Sequence, residues 1–207
     1  KIVKQAQKLH KYYLSNIPFS DLMVYTELQK AISKKAHLHF ANSTPIRYSQ
    51  FFKFNKDIII DCNRGVSGID GSVSTALGQS QIHKGQTILI TGDLSFFYDN
   101  NALWNNYLHS NFKIILINNG GGGIFRFIDG PLKSGKIDLF ETPHKRVART
   151  LAMEAGMEYR LCFEKDDLSP SLKELISSPN SQLLEIFTPR DLNDIVLKEY
   201  FKFLRGK

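Results

Sequence analysis

Sulfur is scarce in this 207-residue chain, with two cysteines, Cys62 and Cys162, and three methionines. The cysteines stand far apart and form no CxxC pair, which excludes a disulfide framework or a cysteine zinc site and fits reduced thiols in a cytoplasmic protein. No apolar run approaches the ~20 residues that a bilayer-spanning helix needs. The six histidines, at 10, 37, 39, 83, 109 and 144, have no metal-ligand spacing and read as surface or core residues. There is no internal repeat, no low-complexity tract and no interdomain linker. With 42% hydrophobic and 23% charged residues the chain can bury one substantial core, so a single domain over residues 1–207 is expected. It begins at Lys1 rather than at a methionine, and we expect it to be a fragment of a longer chain.

The net charge of +7 favours anionic partners. Lysines and arginines are spread along the chain, densest at 198–207, and they form no RNA-binding signature with aromatic residues. Small anions therefore fit better than nucleic acid or a membrane.

The chain opens with two helical stretches, residues 1–16 and 20–34, the second with Ser20 as N-cap and Asp21 in the first turn, where a carboxylate suits the positive helix end. Short apolar runs follow at 38–41, 57–61, 87–91, 113–117, 158–162 and 183–187, each of strand length. Between most of them lie helical periods at 45–52, 72–82, 100–109, 144–155, 168–177 and 190–204. Such alternation predicts an α/β fold, a three-layer α/β/α doubly wound, mainly parallel sheet of about six strands. Ligands in these folds sit beyond the C-terminal strand ends. Residues 120–143, with six glycines and two prolines, read as a long covering loop.

Gly92-Asp93-Leu94-Ser95 directly follows one expected strand, and Asn118-Asn119 ends the next, 25 residues after Asp93. Two neighbouring strands thus deliver oxygen ligands to one sheet edge. An Asp carboxylate, an Asn amide oxygen and a carbonyl from the glycine run are hard ligands suited to octahedral Mg²⁺, with phosphate oxygens completing the shell. Gly92 permits a tight turn and close approach of a phosphate, and the helix that follows points its positive end at the same place. These residues alone imply a diphosphate and a divalent cation, nothing finer.

The Gly-Asp-x…Asn-Asn pattern resembles the signature of thiamine diphosphate (ThDP) enzymes, whose C-terminal domain binds the cofactor diphosphate. The resemblance implies Asp93, Asn119 and the carbonyl of Gly121 as ligands of Mg²⁺ (or Mn²⁺), with Gly92, Leu94, Ser95, Gly122 and Ile124 around the cofactor. The third motif position is usually glycine and here is Leu94. A Gly-Asp-Leu-Ser version is similar to the branch that makes 2-succinyl-5-enolpyruvyl-6-hydroxy-3-cyclohexene-1-carboxylate (SEPHCHC) in menaquinone biosynthesis.

Two further stretches are similar to that branch. Residues 63–71 read Asn-Arg-Gly-Val-Ser-Gly-Ile-Asp-Gly, and by resemblance Ser67, Gly68 and Ile69 contact ThDP, with Ile69 wedged between its two rings; a plain core plug is the other reading of Ile69. Residues 42–47, Asn-Ser-Thr-Pro-Ile-Arg, enter a helix with Pro45 in its first turn. The resemblance implies that Ser43, Arg47 and Arg64 bind the carboxylates of isochorismate, a task suited to the guanidinium fork. It further implies decarboxylation of 2-oxoglutarate, addition of the remaining four-carbon unit to isochorismate, and a homodimer or homotetramer. In that assembly the pyrimidine-binding domain of a second subunit supplies an activating glutamate that these residues lack. The chain is then the C-terminal part of a three-domain enzyme and inactive by itself. An acetolactate synthase-like ThDP enzyme, a non-catalytic diphosphate-fold module and a nucleic-acid-binding domain are the competing readings.

Overall fold

A computed structural model describes residues 2–32 and 35–206. Its elements in chain order are α1 (Ile2–Leu14), α2 (Asp21–Ala31), β1 (His37–Phe40), α3 (Thr44–Ser49), β2 (Ile59–Cys62), α4 (Ser72–Ile82), β3 (Thr87–Gly92), α5 (Asp93–Tyr98), β4 (Phe112–Asn118), α6 (Asp129–Lys133), α7 (Ile137–Glu141), α8 (Arg149–Glu154), β5 (Glu158–Cys162), α9 (Lys165–Ser177), β6 (Gln182–Phe187) and α10 (Asn193–Leu204). Two 3₁₀ turns, Asn100–Trp104 and Gly123–Arg126, complete them. Residue 1 and the end of the expected second helix, at 33–34, lie outside the described residues, as does 207.

All six expected strands form one sheet in the order β2-β1-β3-β4-β6-β5, and every pairing is parallel. Strand periodicity divides the core between the two faces. Ile88, Ile90, Ile115, Ile117, Leu184 and Ile186 face one apolar cluster with α2, α9 and α10. Leu89, Ile114, Leu116 and Leu183 face the other, with α4, Phe96 of α5 and Ala152 of α8. These side chains are essentially inaccessible to solvent, and each such burial contributes about 1.5–3 kcal/mol. The expected three-layer α/β/α arrangement is therefore present.

The strand order positions the site. The chain runs from β1 outward to β2, then returns past β1 to build β3 and β4 on its other side. Winding reverses between β1 and β3, where the following loops diverge and leave a crevice at the C-terminal strand ends.

Four local expectations differ from the structure. Residues 100–109 form only the turn Asn100–Trp104, because the Asn100 and Asn105 amides donate to the carbonyls of Phe97 and Ala102 at 2.5 and 2.6 Å. Such side-chain bonds compete with helix propagation. The helix expected over 144–155 is confined to Arg149–Glu154, since the chain ahead of it is engaged elsewhere, with the His144 N–H on the carbonyl of Gly120 at 3.1 Å. Residues 120–143 are not an irregular loop but a 3₁₀ turn and two short helices. Ser20 occupies the N-cap position without a capping bond; its hydroxyl donates to the carbonyl of Pro18 at 3.0 Å.

Candidate functional site

The loops after β1, β2, β3 and β4 meet in a cleft lined by Asn42, Ser43, Ile69, Gly92, Asp93, Leu94, Ser95, Asn119, Gly121, Gly122, Ile124 and Phe125, among others. Ten of the residues singled out in sequence are thereby gathered from four loops. Its volume of about 130 Å³ is well below the roughly 300–1,000 Å³ of a closed small-molecule site.

Asp93 begins α5 and is 2% exposed. Its Oδ1 accepts the Leu94 N–H at 2.6 Å and its Oδ2 accepts the Gly121 N–H at 2.9 Å, tying the β3 loop to the glycine run. Asn119 donates its amide Nδ2 to Asp21 Oδ2 at 3.1 Å, and its Oδ1 has no hydrogen bond among the described residues. The Gly121 carbonyl accepts the Gly123 N–H at 3.0 Å and keeps a second lone pair. One carboxylate, one amide oxygen and one carbonyl are hard donors that could hold Mg²⁺ or Mn²⁺ beside a diphosphate.

Gly92 acts differently from the tight turn expected of it. Its φ of −85° suits any residue, and a Cβ there would meet no protein atom within 4 Å. What its missing side chain provides is room in the cleft, where a phosphate would lie. Gly121 is constrained by contact, because at φ +153° a Cβ would stand 2.5 Å from the carbonyl oxygen of Glu141.

The segment after the glycine run braces it from behind. The Gly122 N–H donates to the Glu141 carbonyl at 2.6 Å. The Glu141 carboxylate is buried between Arg126 and Arg190, bonded to both guanidinium groups. Burial alone raises the pKa of this carboxyl, but the two guanidinium partners outweigh it and hold the group below its ordinary value.

The 63–71 loop is joined to the cleft by Ser95, whose hydroxyl donates to the Ile69 carbonyl at 2.6 Å and so fixes Ile69 at the wall. Ser67, at φ 60°, and Gly68 stay outside the cleft on the exposed rim. Arg64 donates Nη1 to Asn42 Oδ1 at 3.1 Å and to the Ser67 hydroxyl, while the Asn42 amide donates to the Ser67 carbonyl. Asn42 thereby locks the loops after β1 and β2 together. Ser43 holds the uncommon φ of 77°, a cost expected at functional loops. Arg47 is exposed on α3 and lines an adjacent groove of about 360 Å³ with Thr44, Phe51, Ile124 and Phe127. Neither Arg47 nor Arg64 has a carboxylate partner among the described residues. The structure does not bring these two arginines into the cleft itself.

Three site residues escaped the sequence reading. Asp21, taken for a helix-end charge, is buried behind Asn119; burial pushes its carboxyl up to about 6, opposed by the bonds from Thr188 and Asn119. His144, taken for a scattered histidine, has Nε2 3.4 Å from Asp93 Oδ2 and accepts the Arg146 N–H on Nδ1 at 3.1 Å. Asn42 differs, since it stands beside the quoted Ser43 and only its role as a lock was illegible. No spacing rule reaches Asp21, which lies 98 residues from Asn119.

The model of the thiamine pyrophosphate enzyme C-terminal TPP binding domain matches residues 43–186. The chain is also similar to proteins named 2-succinyl-5-enolpyruvyl-6-hydroxy-3-cyclohexene-1-carboxylate synthase. Identity is 48% to that of Christiangramia forsetii, over 97% of this chain and 35% of the relative. It is 47% to that of Flavobacterium psychrophilum, over 93% and 35%, and 41% to that of Porphyromonas gingivalis, over 100% and 36%. The chain thus spans about a third of the length of these relatives. A parallel sheet whose switch-point cleft carries Asp93, Asn119 and the glycine run agrees with the family match, and the chain belongs to the thiamine pyrophosphate enzymes as a C-terminal TPP-binding domain.

Proposed function

We propose that this chain is the C-terminal part of a three-domain, Mg²⁺- or Mn²⁺-dependent SEPHCHC synthase of the cytoplasm, acting on 2-oxoglutarate and isochorismate. The observation that carries the reading is the convergence of Asp93, Asn119 and Gly121 on one cleft at the sheet switch point, beside a 63–71 loop that fixes Ile69 at its wall. Asp93, Asn119 and the Gly121 carbonyl would hold the cation, and Gly92 leaves space for the diphosphate. Thiamine diphosphate, when bound, supplies the electron sink for decarboxylation. Ile69 would pack against the cofactor, while Leu94, Gly122 and Ile124 complete the apolar floor.

Arg47 and Arg64 stand outside the cleft without acidic partners among the described residues, and Ser43 lines the cleft. That charge suits two polyanionic substrates. In the full-length enzyme, Arg64→Ala and Arg47→Ala are each expected to raise KM for isochorismate about tenfold or more, the loss of a charge-assisted carboxylate bond. ThDP affinity should stay within about twofold. Steady-state kinetics with 2-oxoglutarate and isochorismate, with product identified by mass spectrometry, tests the assignment. Decarboxylation indifferent to isochorismate would favour an acetolactate synthase-like carboligase instead; absence of ThDP binding in the full-length protein would favour a non-catalytic module.

The cleft's volume, too small for the whole cofactor, supports an active site completed by the pyrimidine-binding domain of a second subunit, in a homodimer or homotetramer. The 207-residue chain alone is expected to show no turnover and ThDP binding at least about a hundredfold weaker than the assembled enzyme, by calorimetry of both, since half of the cofactor's contacts are missing. Turnover by the isolated chain would overturn the shared-site reading.

A further inference from the structure

Asp21 is a carboxylate 2% exposed, with no lysine or arginine against it among the described residues. Leaving such a group inside a fold is costly unless hydrogen bonds compensate. Three surround it. Its N–H donates to Asn193 Oδ1 at 2.8 Å, its Oδ1 accepts the Thr188 hydroxyl at 2.5 Å, and its Oδ2 accepts Asn119 Nδ2 at 3.1 Å. Asn193 Nδ2 donates back to the Thr188 hydroxyl oxygen at 3.3 Å. This closes a ring that commits the Thr188 proton to Asp21. The Thr188 N–H is in turn anchored on the Asn118 carbonyl at 3.2 Å.

The ring has a consequence for Asn119. A carboxylate offers only acceptors, so it can receive the NH₂ end of an amide and rejects the oxygen end. The flipped Asn119, with its oxygen against Asp21, would set two acceptors face to face without a proton. The oxygen end is left as the polar atom without a partner on a residue that lines the cleft.

We propose that Asp21 is a positioning residue that fixes the amide orientation of Asn119, so that Oδ1 rather than Nδ2 is presented to the divalent cation. The proposal rests on the reading of Asn119 as a cation ligand. It extends the cation site to α2 and to the start of α10, neither of which touches the cofactor loops in sequence. Loss of such an outer partner lowers metal affinity about 10- to 100-fold in known sites.

The test is Mn²⁺ titration of the full-length protein with ThDP, followed by electron paramagnetic resonance of free Mn²⁺. Wild type, Asp21→Asn, Asp21→Ala and Asp93→Ala are compared. Asp21→Asn is isosteric and admits both orientations of Asn119. It should bind Mn²⁺ about tenfold more weakly, while the metal-free protein melts at the wild-type temperature or above it, because a neutral amide is less costly to bury. Asp21→Ala should lose about 10- to 100-fold. A merely structural role would instead lower both quantities together. Should Asp21→Ala not fold, Asp21→Asn decides alone. Folded Asp21→Asn that binds Mn²⁺ within twofold of wild type would overturn the positioning role. Wild-type binding by Asp93→Ala would overturn the cation site itself, whatever Asp21 does.

Discussion

Asp93→Ala in the full-length enzyme is expected to abolish Mg²⁺-dependent ThDP binding and to lower turnover at least about a thousandfold. The carboxylate is the only anionic donor in the proposed set, and a side chain bound directly to a divalent cation contributes several kcal/mol, each 1.4 kcal/mol being tenfold. Its removal also leaves the Leu94 and Gly121 N–H groups unpaired in a buried position, so the two loops that frame the cleft lose their link. Asp93→Asn separates the two effects. It keeps the shape, but only one oxygen remains for two N–H donors, and the amide NH₂ is set against one of them. An intermediate loss of affinity is expected. Calorimetric titration of ThDP with Mg²⁺, beside thermal melts of the metal-free proteins, distinguishes the variants. Unaltered ThDP binding by a folded Asp93→Ala protein would remove the basis of the site.

Glu141→Ala carries the largest expected effect on stability. The carboxylate is 0% exposed and is the shared partner of Arg126 and Arg190, which also reach Asp191 and Asp138 at 2.9 and 3.2 Å. Removing the buried member leaves the two guanidinium groups only the exposed Asp191 and Asp138 carboxylates, and breaking a buried pair in this way costs about 3–5 kcal/mol. At about 2–4 °C per kcal/mol for a domain of this size, melting should fall by roughly 6–20 °C. The Glu141 backbone carbonyl is the acceptor of Gly122 and the atom against which Gly121 fits, so ThDP affinity should fall with stability. Glu141→Gln keeps the volume and should lose less.

Acid adds a check with a defined sign. The Glu141 carboxyl titrates below its ordinary value of 4.5 in the folded protein, so the stability it contributes is present above that pH and is lost as pH falls through the folded value. The difference in melting temperature between wild type and Glu141→Gln should therefore shrink on acidification below about 4.5. A difference that is constant from pH 7 to pH 3 would mean that the charge of Glu141 is not what stabilises the glycine run.

The legible part of the site was the part written in contiguous motifs. Gly92 to Ser95 and Asn118 to Gly122 follow strands whose apolar runs are unmistakable, and parallel α/β winding sends the residue after each strand to the same edge. Ser43 and Ile69 were legible for the same reason. The helices over 100–109 and 144–155 were misread because periodicity does not register competing bonds, such as those of Asn100, Asn105 and His144, that draw the chain out of helical geometry. The segment 120–143 hid its order from a periodicity reading because each of its helices spans only five residues, fewer than two turns.

What the amino-acid sequence determined by itself is the layer architecture and the placement of oxygen-bearing residues at the strand ends. Both follow from local patterns, the two-residue strand period and the oxygen donors in motif order. Tertiary structure alone decided which distant groups stand behind those donors. Asp21, Thr188 and Asn193 converge on Asn119 from α2 and the β6–α10 turn, and Glu141 reaches Arg126 and Arg190 across the glycine run. Burial turns these ordinary polar residues into obligatory partners, because inside the fold an unpaired carboxylate, amide or guanidinium has no water to fall back on.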